Sequence, residues 1–282
     1  KKKKNTCTVS YVWGKKNTEE KRKACEDDSF FWTANDILTT TTTNETVLEN
    51  FQKYWMNSFY LKNKKPTIIQ LKTWSIFLRM TKYLNLIAIA PTGSGKTYAY
   101  ALPFLLLSNN NNNEKKKKKS RYCLVLLPTR ELAQQVVQSI ERIITNKNKE
   151  EIKTIAVYGG IEKESQIDFF RNNKNCSIMI IAATPGRMYD LLEHEQKVVL
   201  KALRKKLQYI VLDEADRLAT QMDMSNQIDQ IFTILNDTNK NRKKRRIGLF
   251  SATYPQSVNE KWNQWIQGNT NSNNDDDDDN DD

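Results

Sequence analysis

The sequence contains a single histidine among its 282 residues. That residue, His194, cannot build a histidine-based catalytic set, and its place at the end of a predicted helix favours an exposed position. The four cysteines include no C-x-x-C pair. Cys123 and Cys176 lie in or beside apolar runs and are predicted to be buried thiols. A reducing compartment therefore fits this chain, and a disulfide framework does not.

Long apolar stretches are missing as well. No run reaches the ~18 residues that a transmembrane helix needs, and the lysine-rich start lacks the apolar region of a secretory signal. We therefore expect no membrane partner. Hydrophobic residues make up 38% of the chain, below the roughly 45–50% of globular proteins. Polar runs explain this deficit because they dilute an otherwise ordinary globular sequence: threonine at 39–43, asparagine at 109–113, lysine at 115–119 and an aspartate-rich end.

Positive charge exceeds negative charge by a formal +12. Residues 275–282 contain seven aspartates, so the rest of the chain is more basic still. Such an excess predicts a polyanionic partner, and nucleic acid is the obvious one. The lysine run at 115–119 is by itself equally compatible with a solvated loop that binds nothing.

Composition divides the chain into three parts. Residues 1–45 are polar and charged and are predicted to form a largely irregular extension. Residues 46–268 are predicted to form the ordered domain, and residues 269–282 an acidic, disordered tail. The length suits a large domain that buries a real core.

Within the ordered part, nearly continuous apolar runs alternate with amphipathic ones. The apolar runs predict strands covered on both faces, at 86–90, 122–127, 154–158, 177–183, 209–212 and 246–251. The amphipathic runs predict helices, at 97–107, 130–144, 166–171, 186–193, 226–235 and 256–266. This alternation predicts an α/β fold with a mostly parallel sheet and helices on both faces. Ligands of such sheets gather at the carboxyl ends of the strands.

The segment LIAIAPTGSGKT, residues 86–97, has the features of a phosphate-binding loop. Gly93 and Gly95 offer backbone N–H groups with no side chain in the way, and the helix that follows favours negative charge at its N-terminus. Lys96 would reach the β- and γ-phosphates of a nucleotide. The Thr97 hydroxyl would bind Mg²⁺.

A second motif, YIVLDEADRL, spans residues 209–218 and ends a predicted strand. Asp213 would hold Mg²⁺ through water opposite Thr97, and Glu214 would orient or deprotonate the attacking water. Asp216 could accept a hydrogen bond from a neighbouring motif. A charged turn without function could have the same letters, but a phosphate loop elsewhere in the sequence favours a phosphoryl-transfer site.

Asp213-Glu214-Ala215-Asp216, taken with Ala90–Thr97, resembles the DEAD-box ATP-dependent RNA helicases. The usual phosphate loop begins with glycine, whereas this family has alanine there, which is tolerable if Ala90 has a negative φ. The resemblance covers about residues 50–267 and implies a RecA-like P-loop domain that binds ATP and Mg²⁺. Segment 66–70 resembles the family's adenine-reading motif. The nucleotide-binding residues thus implied are Thr67, Gln70, Thr92, Gly93, Ser94, Gly95, Lys96 and Thr97.

Three further segments resemble the RNA-contacting motifs of the family: Pro128-Thr129-Arg130, Gly159-Gly160 and Thr184-Pro185-Gly186-Arg187. Helix N-termini, small residues and arginines suit contacts to phosphate and 2′-OH groups, which carry no sequence information. Ser251-Ala252-Thr253 resembles the motif that couples ATP hydrolysis to strand separation. The resemblance implies Lys96, Asp213, Glu214, Ser251 and Thr253 as catalytic residues and Thr97 and Asp213 as metal ligands.

The adenine site departs from the family pattern. Members have glycine and an aromatic residue where this chain has Lys62-Asn63, and that aromatic ring stacks on adenine. Phe59 or Tyr60 could substitute, or Phe51 could serve as the more distant aromatic residue. Phosphate binding is therefore better supported by the sequence than adenine preference.

The sequence after Thr253 offers one predicted helix and a polar stretch, without a second RecA-like domain. In the family that domain supplies arginine fingers and the other half of the RNA clamp. Arginine fingers contribute about 10³–10⁵ in rate in related nucleotide hydrolases. We therefore expect the lone chain to bind ATP weakly and hydrolyse it poorly, as a fragment, a truncated sequence or a half that needs a partner.

Three functions remain to be weighed. The first is RNA-stimulated ATP hydrolysis coupled to RNA duplex disruption, with RNA and a second RecA-like domain or an adaptor protein as partners. The second is a non-catalytic RNA- or protein-binding module derived from a helicase half, against which the intact motif residues argue. The third is a small-molecule kinase, in which segments 128–133 and 184–187 have no role. The first is predicted, in an intracellular setting and in the nucleus or nucleolus rather than the cytoplasm.

Overall fold

The computed structural model describes residues 8–12, 66–79, 85–107, 120–144, 150–236 and 245–270. Within them, one sheet has the strand order β1-β2-β7-β6-β3-β5-β4. Strands β2 to β7 are parallel, and β1 pairs antiparallel with β2. The strands are β1 Thr8–Val12, β2 Asn85–Ile89, β3 Arg121–Leu126, β4 Ile152–Val157, β5 Ile178–Ala183, β6 Leu207–Asp213 and β7 Arg246–Ser251.

Helices connect the parallel strands. They are α1 Ile68–Arg79, α2 Lys96–Leu107, α3 Arg130–Glu141, α4 Lys163–Asn172, α5 Pro185–His194, α6 Lys201–Lys206, α7 Ala215–Thr220, α8 Met222–Asn236 and α9 Gln256–Thr270, with a π-helical turn at Gln196–Leu200. None of these helices combines the length and apolarity that a membrane span requires.

Apolar side chains bury the sheet on both faces. Cys123 and Val125 of β3 belong to one apolar cluster, which also contains the buried side chains of α1, α2 and α3. Leu124 and Leu126 belong to a second cluster, formed with α4 to α9. Successive residues of a strand point to opposite faces, so a strand between two helical layers needs apolar residues throughout. The predicted α/β fold with a mostly parallel, two-sided sheet is confirmed.

The structure adds elements that the sequence did not predict. The six predicted strands are present with small shifts at their ends, but β1 lies in the segment predicted to be irregular. Its pairing with β2 joins residues far apart in the chain, which a local pattern does not encode. Helices α6 and α7 are six residues each, too short for a clear helical period. Cys123 and Cys176 are buried, and the His194 side chain is 60% exposed, as predicted.

Parallel strands give the sheet two chemically different edges. We call the side where β2 to β7 end the carboxyl edge and the side where they begin the amino edge. A predicted functional motif begins at or just after the end of each of the strands β2 to β7. All of them therefore lie at the carboxyl edge, where ligands of open α/β sheets bind.

Gly248 in β7 offers a test of this packing. A Cβ atom there would lie 2.5 Å from the Tyr209 hydroxyl oxygen and 3.0 Å from Cε2 of Phe250, and both side chains are buried. Gly248→Ala should therefore lower the free energy of unfolding by about 1–3 kcal/mol through overpacking. Gly159→Ala is the matched control, because nothing lies within 4 Å of its added Cβ. Urea unfolding measures both, and equal losses would contradict the expectation.

Candidate functional site

The loop between β2 and α2 adopts the geometry of an anion cradle. Gly93 and Gly95 have φ of 75° and 90°, a region that residues with a side chain rarely adopt. Among the described residues, Glu214 is the one non-glycine residue with positive φ. Ala90 therefore has a negative φ, the condition under which alanine was predicted to be tolerated in place of glycine. Helix α2 begins directly after the loop, at Lys96. Its N-terminus faces the cradle and favours negative charge there.

Two polar side chains of this loop indicate what the cradle would hold. Lys96 is 8% exposed, and its Nζ donates to the carbonyl oxygens of Ala90 and Pro91 at 2.9 and 3.1 Å. The Oγ atom of Ser94 is buried and has no hydrogen-bond partner among the described residues. A buried ammonium group beside an unsatisfied hydroxyl fits an anionic ligand, since buried polar groups normally find partners. The loop therefore fits a nucleotide phosphate.

Gln70 joins the segment before α1 to the phosphate loop. It is 4% exposed; its Oε1 accepts from the Thr67 N–H at 3.0 Å, and its Nε2 donates to the Gly95 carbonyl at 3.1 Å. A Cβ atom on Gly95 would lie 2.3 Å from this Nε2. Gln70 thus lies against the loop, while its contact with adenine stays a prediction. The aromatic residues proposed to stack on adenine, Phe51, Phe59 and Tyr60, lie outside the described residues.

Asp213 lies at the end of β6 and is 6% exposed. Its Oδ1 accepts from the Glu214 N–H at 3.0 Å, and its Oδ2 accepts from the Tyr100 hydroxyl at 3.0 Å. Burial raises the pKa of Asp213 to about 6, although the Tyr100 hydrogen bond, the Lys96 charge and the Glu214 N–H oppose the rise. The Thr97 side chain also lies close enough to the Tyr100 hydroxyl to oppose the rise of the Tyr100 pKa that burial causes. The Tyr100 hydroxyl therefore brings together the two predicted metal ligands, Thr97 and Asp213.

Tyr100 is a site residue that the sequence analysis missed. It follows Lys96 by one helical turn, so its place on the loop-facing side of α2 was available from the spacing. No group of three or more His, Cys, Asp or Glu side chains within the described ranges could hold a metal ion. Mg²⁺ does not require such a group, because proteins bind it through one or two carboxylates together with substrate phosphates.

Glu214 occupies a strained backbone position between β6 and α7. Its φ of 54° and ψ of 46° are left-handed, which costs a residue with a side chain of order 1 kcal/mol. This conformation turns the chain sharply from the strand into the helix. The side chain is 22% exposed, and its Oε2 lies 3.5 Å from Nη1 of Arg217. The carboxylate that was predicted to position water therefore reaches solvent, unlike that of Asp213.

Ser251 connects the loops that follow β2, β6 and β7. Its carbonyl accepts from the Ala90 N–H at 3.0 Å, and its Oγ accepts from the Asp216 N–H at 3.2 Å. The Thr253 hydroxyl donates to Oδ2 of Asp216 at 2.8 Å, the kind of bond to Asp216 that the sequence predicted. Ser251 is fully buried, so loss of a partner from either of its two bonds is costly, whereas the bond between Thr253 and Asp216 is exposed. The four residues Ala90, Ser251, Asp216 and Thr253 form one connected group.

The first two predicted RNA-contacting segments meet at the carboxyl edge. The Thr129 hydroxyl caps α3 by accepting from the Leu132 N–H at 3.3 Å. Arg130 follows in the first turn, and its guanidinium lies over Gly160, where an added Cβ would be 2.5 Å from Nη1. Gly160 has a φ of 94°. A glycine is thus required there both by its backbone conformation and by the arginine above it.

The third segment begins α5. Thr184 is its N-cap and donates its N–H to the Val157 carbonyl at 2.9 Å, while buried Pro185 occupies the first turn. Gly186 packs against Gln227, whose Oε1 would be 3.3 Å from an added Cβ. Arg187 donates from both Nη atoms to the Ile161 carbonyl at 3.2 and 3.3 Å. The loop after β4 therefore contacts both arginines, Arg130 and Arg187.

The predicted residues thus form two groups at one edge. The nucleotide group follows β2, β6 and β7, and the group proposed for RNA follows β3, β5 and β4. The two groups meet where β6 lies beside β3. Pro128 is buried beneath its loop, whereas Arg130 and Gly160 are exposed, so the second group combines the N-termini of α3 and α5 with positive charge.

Comparison with known proteins gives a consistent assignment. A model of the DEAD/DEAH box helicase family matches residues 67–261. The chain is 38% identical over 201 residues to a probable ATP-dependent RNA helicase of Methanocaldococcus jannaschii, covering 70% of this chain and 47% of that protein. It is 36% identical over 209 residues to DEAD-box ATP-dependent RNA helicase 5 of Arabidopsis thaliana, covering 73% and 35%. The chain spans less than half the length of these relatives.

Solved structures show the same fold. The structure of Mss116p bound to ssRNA and AMP-PNP matches with a TM-score of 0.67 and 29% identity, over 84% of this chain and 44% of that one. A DEAD box protein from Methanococcus jannaschii matches with a TM-score of 0.58 and 31% identity, over 80% and 53%. The predicted RecA-like fold is confirmed.

The raised pKa of Asp213 generates a prediction about stability and pH. The folded state binds this proton more tightly than the unfolded chain, whose pKa is near 3.8. The contribution of Asp213 to stability therefore falls as pH rises from about 4 to about 6. Asn does not ionise, so Asp213→Asn should remove this pH-dependent loss of stability. Both proteins are compared without nucleotide and after treatment with a chelator. The unfolding free energy of the variant minus that of the wild type should rise across this window, by up to ~3 kcal/mol.

Urea unfolding at pH 4.5 and pH 7.5 measures this difference. If this difference is the same at both pH values, or is smaller at pH 7.5, then ionisation of Asp213 does not destabilise the folded protein and the prediction is wrong.

Proposed function

Because the chain belongs to the DEAD/DEAH box helicase family, we propose that it forms the ATP-binding half of an ATP-dependent RNA helicase. The proposed activity is RNA-stimulated ATP hydrolysis coupled to local disruption of RNA duplexes. Its relatives are ATP-dependent RNA helicases by name, and the chain spans only part of their length. A second RecA-like domain is therefore a proposed partner, as part of a longer protein or as a separate chain.

The hydrogen-bonded group of Ala90, Ser251, Asp216 and Thr253 is the observation that carries the proposal. It links the phosphate loop, the turn after β6 and the loop after β7 through bonds of 2.8 to 3.2 Å. A movement of the phosphate loop would be transmitted to Thr253 through Asp216, because the buried Ser251 is hydrogen-bonded to both neighbouring loops. A module that only binds RNA has no need of this link.

The phosphate loop would bind the triphosphate of ATP through groups that are already oriented. The backbone around Gly93 and Gly95 leaves room for phosphate oxygens, and Thr92 and Ser94 add hydroxyl groups beside them. Lys96 would exchange its bonds to two loop carbonyls for bonds to phosphate. Those carbonyl bonds hold its ammonium in the loop beforehand, so little side-chain entropy would be lost on binding.

Thr97 and Asp213 would hold Mg²⁺, and their oxygen atoms suit that cation. When bound, Mg²⁺ would neutralise charge on the transferring phosphoryl group. Tyr100 orients the Asp213 carboxylate through its hydrogen bond and lies beside the Thr97 side chain. Glu214, which reaches solvent, would orient the attacking water and accept its proton. The division of roles follows from burial, since both oxygens of the buried Asp213 carboxylate accept hydrogen bonds, whereas the Glu214 carboxylate reaches solvent.

The loops after β3, β4 and β5 would bind the RNA backbone. The N-termini of α3 and α5 and the guanidinium groups of Arg130 and Arg187 suit phosphate oxygens. The arginines are held by the loop after β4, so they would bind without large rearrangement. These groups read no base edges, and we propose binding that is independent of sequence. In support, the similar Mss116p is known in a structure with ssRNA.

Location follows from the same proposal. One relative, 34% identical over 198 residues, is a pre-mRNA-processing helicase of Vanderwaltozyma polyspora. Together with the basic runs of this sequence, that name supports the nucleus or nucleolus as the proposed site of action. An adaptor protein remains a further proposed partner.

ATP hydrolysis in the presence of a second half tests the proposal. With the second RecA-like half of a family relative supplied, RNA should stimulate ATP hydrolysis, and Lys96→Ala or Glu214→Gln should reduce the stimulated rate by about 10²-fold or more. Glu260→Gln and Lys197→Ala are control variants, since both residues are exposed and lie outside the candidate site.

Two outcomes would contradict the proposal. Strong ATP hydrolysis by the lone chain that is indifferent to RNA would exclude an RNA-dependent helicase half. Absence of hydrolysis with every half supplied, while RNA binding persists, would favour the alternative of a non-catalytic RNA-binding module.

A further inference from the structure

Basic residues mark the amino edge of the sheet, opposite the candidate site. Four neighbouring strands, β7, β6, β3 and β5, begin there, and basic side chains occur at or just before each beginning. We call this set the amino-edge basic surface; it consists of Arg121, Lys174, Lys201, Lys205, Lys206 and Arg246. The proposed ATP and RNA chemistry uses none of them.

Contacts between separate elements bring these charges together. Lys206 donates to the Tyr122 hydroxyl at 3.3 Å and to the Lys174 carbonyl, so the beginnings of β6 and β3 and the turn before β5 meet at one side chain. Burial is the main cause that lowers the pKa of Lys206, and the charge of neighbouring Lys205 adds to it. The contacts of Lys206 thus bring Lys174, Lys205 and Lys206 to one place on this edge.

The end of α8 lies at the same edge and is bound by two arginines. Arg204 donates to the Ile234 carbonyl at 2.7 and 3.2 Å. Arg245 donates to the Leu235 carbonyl at 3.3 Å, and burial, together with the charge of Arg204, lowers its pKa to about 10. The surface has a limit on its other side, because Glu150 and Glu151 precede β4. It thus covers the beginnings of the four central strands, and acidic residues flank it where the outer strand begins.

Helix α9 carries the chain to this edge. Helices α8 and α9 each lie next to a parallel strand in sequence and run from the carboxyl edge towards the amino edge. They are joined by Asp229, which accepts from Lys261 at 2.8 Å and from the Trp265 indole at 2.7 Å, and by stacking of Trp265 on Phe232. These pairs place the last turn of α9 near the last turn of α8, where Arg204 and Arg245 bind.

The sequence that follows Thr270 has the complementary charge. Four uncharged residues, NSNN, precede residues 275–282, which are seven aspartates and one asparagine. An extended chain spans at most ~3.3–3.6 Å per residue, so the first aspartate lies within about 18 Å of Thr270 and the last within about 43 Å. Three strand spacings separate β7 from β5, roughly 15 Å. The acidic segment is long enough to reach across the whole amino-edge basic surface.

We propose that the acidic segment 275–282 docks on the amino-edge basic surface of its own chain. Individual surface ion pairs are weak, but a short tether keeps the segment at an effective concentration in the millimolar range. The docked segment covers the basic surface against other polyanions and leaves the carboxyl edge open. Nucleic acid is thereby directed to the opposite edge of the sheet. This inference does not depend on ATP hydrolysis or helicase activity.

Backbone amide shifts from NMR test the docking directly. The full chain is compared with a variant in which the seven aspartates of 275–282 are asparagine. At 50 mM salt the amides of Lys174, Lys201 and Lys205 should differ between the two chains. The difference should vanish at 500 mM salt, because screening shortens the reach of exposed charges. A peptide of residues 271–282 added to the asparagine variant should restore the shifts.

Substitution of exposed lysines gives the matched control. Replacing Lys174, Lys201 and Lys205 together by glutamine should weaken peptide binding by about tenfold. Replacing the same three residues by arginine keeps the charge and should leave the affinity within about twofold of the parent. Equal weakening in both triple variants would show that shape rather than charge is recognised and would overturn the proposal.

Further outcomes would also overturn it. Peptide-induced shifts at Arg130 and Arg187 instead of the amino edge would mean that the acidic segment occupies the candidate RNA site. An octameric oligouridylate that shifts the amino-edge amides equally in the full chain and in the asparagine variant would mean that RNA, and not the segment, is the occupant. Absence of any shift at 50 mM salt would exclude docking altogether.

Discussion

A carboxylate buried at the end of a central strand is the constraint on which the candidate ATP site depends. Burial opposes the ionised form of Asp213, as its raised pKa indicates. The surroundings compensate in part, through the Tyr100 hydroxyl, the Glu214 N–H and the charge of Lys96. Each of these groups also belongs to the candidate site. Desolvated charges and strained residues are kept in place by the structure around them, and they cluster at functional sites. The arrangement suits the Mg²⁺ that we propose Asp213 and Thr97 to hold.

The parallel sheet separates two kinds of surface. Strand ends bring the phosphate loop, the carboxylates and the loops proposed to contact RNA to one edge, since every parallel strand points the same way. Strand beginnings bring lysines and arginines to the other edge, where no predicted motif lies. A chain with a strong excess of basic residues can therefore carry a selective site at one edge of the sheet and a non-selective basic surface at the other. The acidic segment after α9 carries the charge that distinguishes the two.

Much of this fold and site could be predicted from the sequence, for reasons that particular elements make clear. Buried parallel strands such as β5 are apolar throughout, and Gly93 and Gly95 can be recognised without tertiary information because their backbone demands are local. Tyr100 was missed, because a tyrosine on an apolar helix has the pattern of a core residue until Asp213 is seen beside it. Strand β1 was missed because its partner β2 is distant in sequence. The left-handed conformation of Glu214 was equally hidden, since glutamate gives no hint of a positive φ.

The loop after β4 has a role that follows from geometry alone. Gly160 lies beneath Arg130, and the carbonyl of Ile161 accepts both Nη atoms of Arg187. The two arginines lie in the first turns of different helices, which follow different strands. A single short segment therefore contacts both of the cations that we propose to bind one RNA backbone. Because that segment follows the outermost parallel strand, it can adjust without disturbing the phosphate loop, which lies at the opposite side of the sheet. The two groups of the candidate site meet where β3 pairs with β6, so we expect coupling between the proposed RNA binding and nucleotide binding to pass through these central strands.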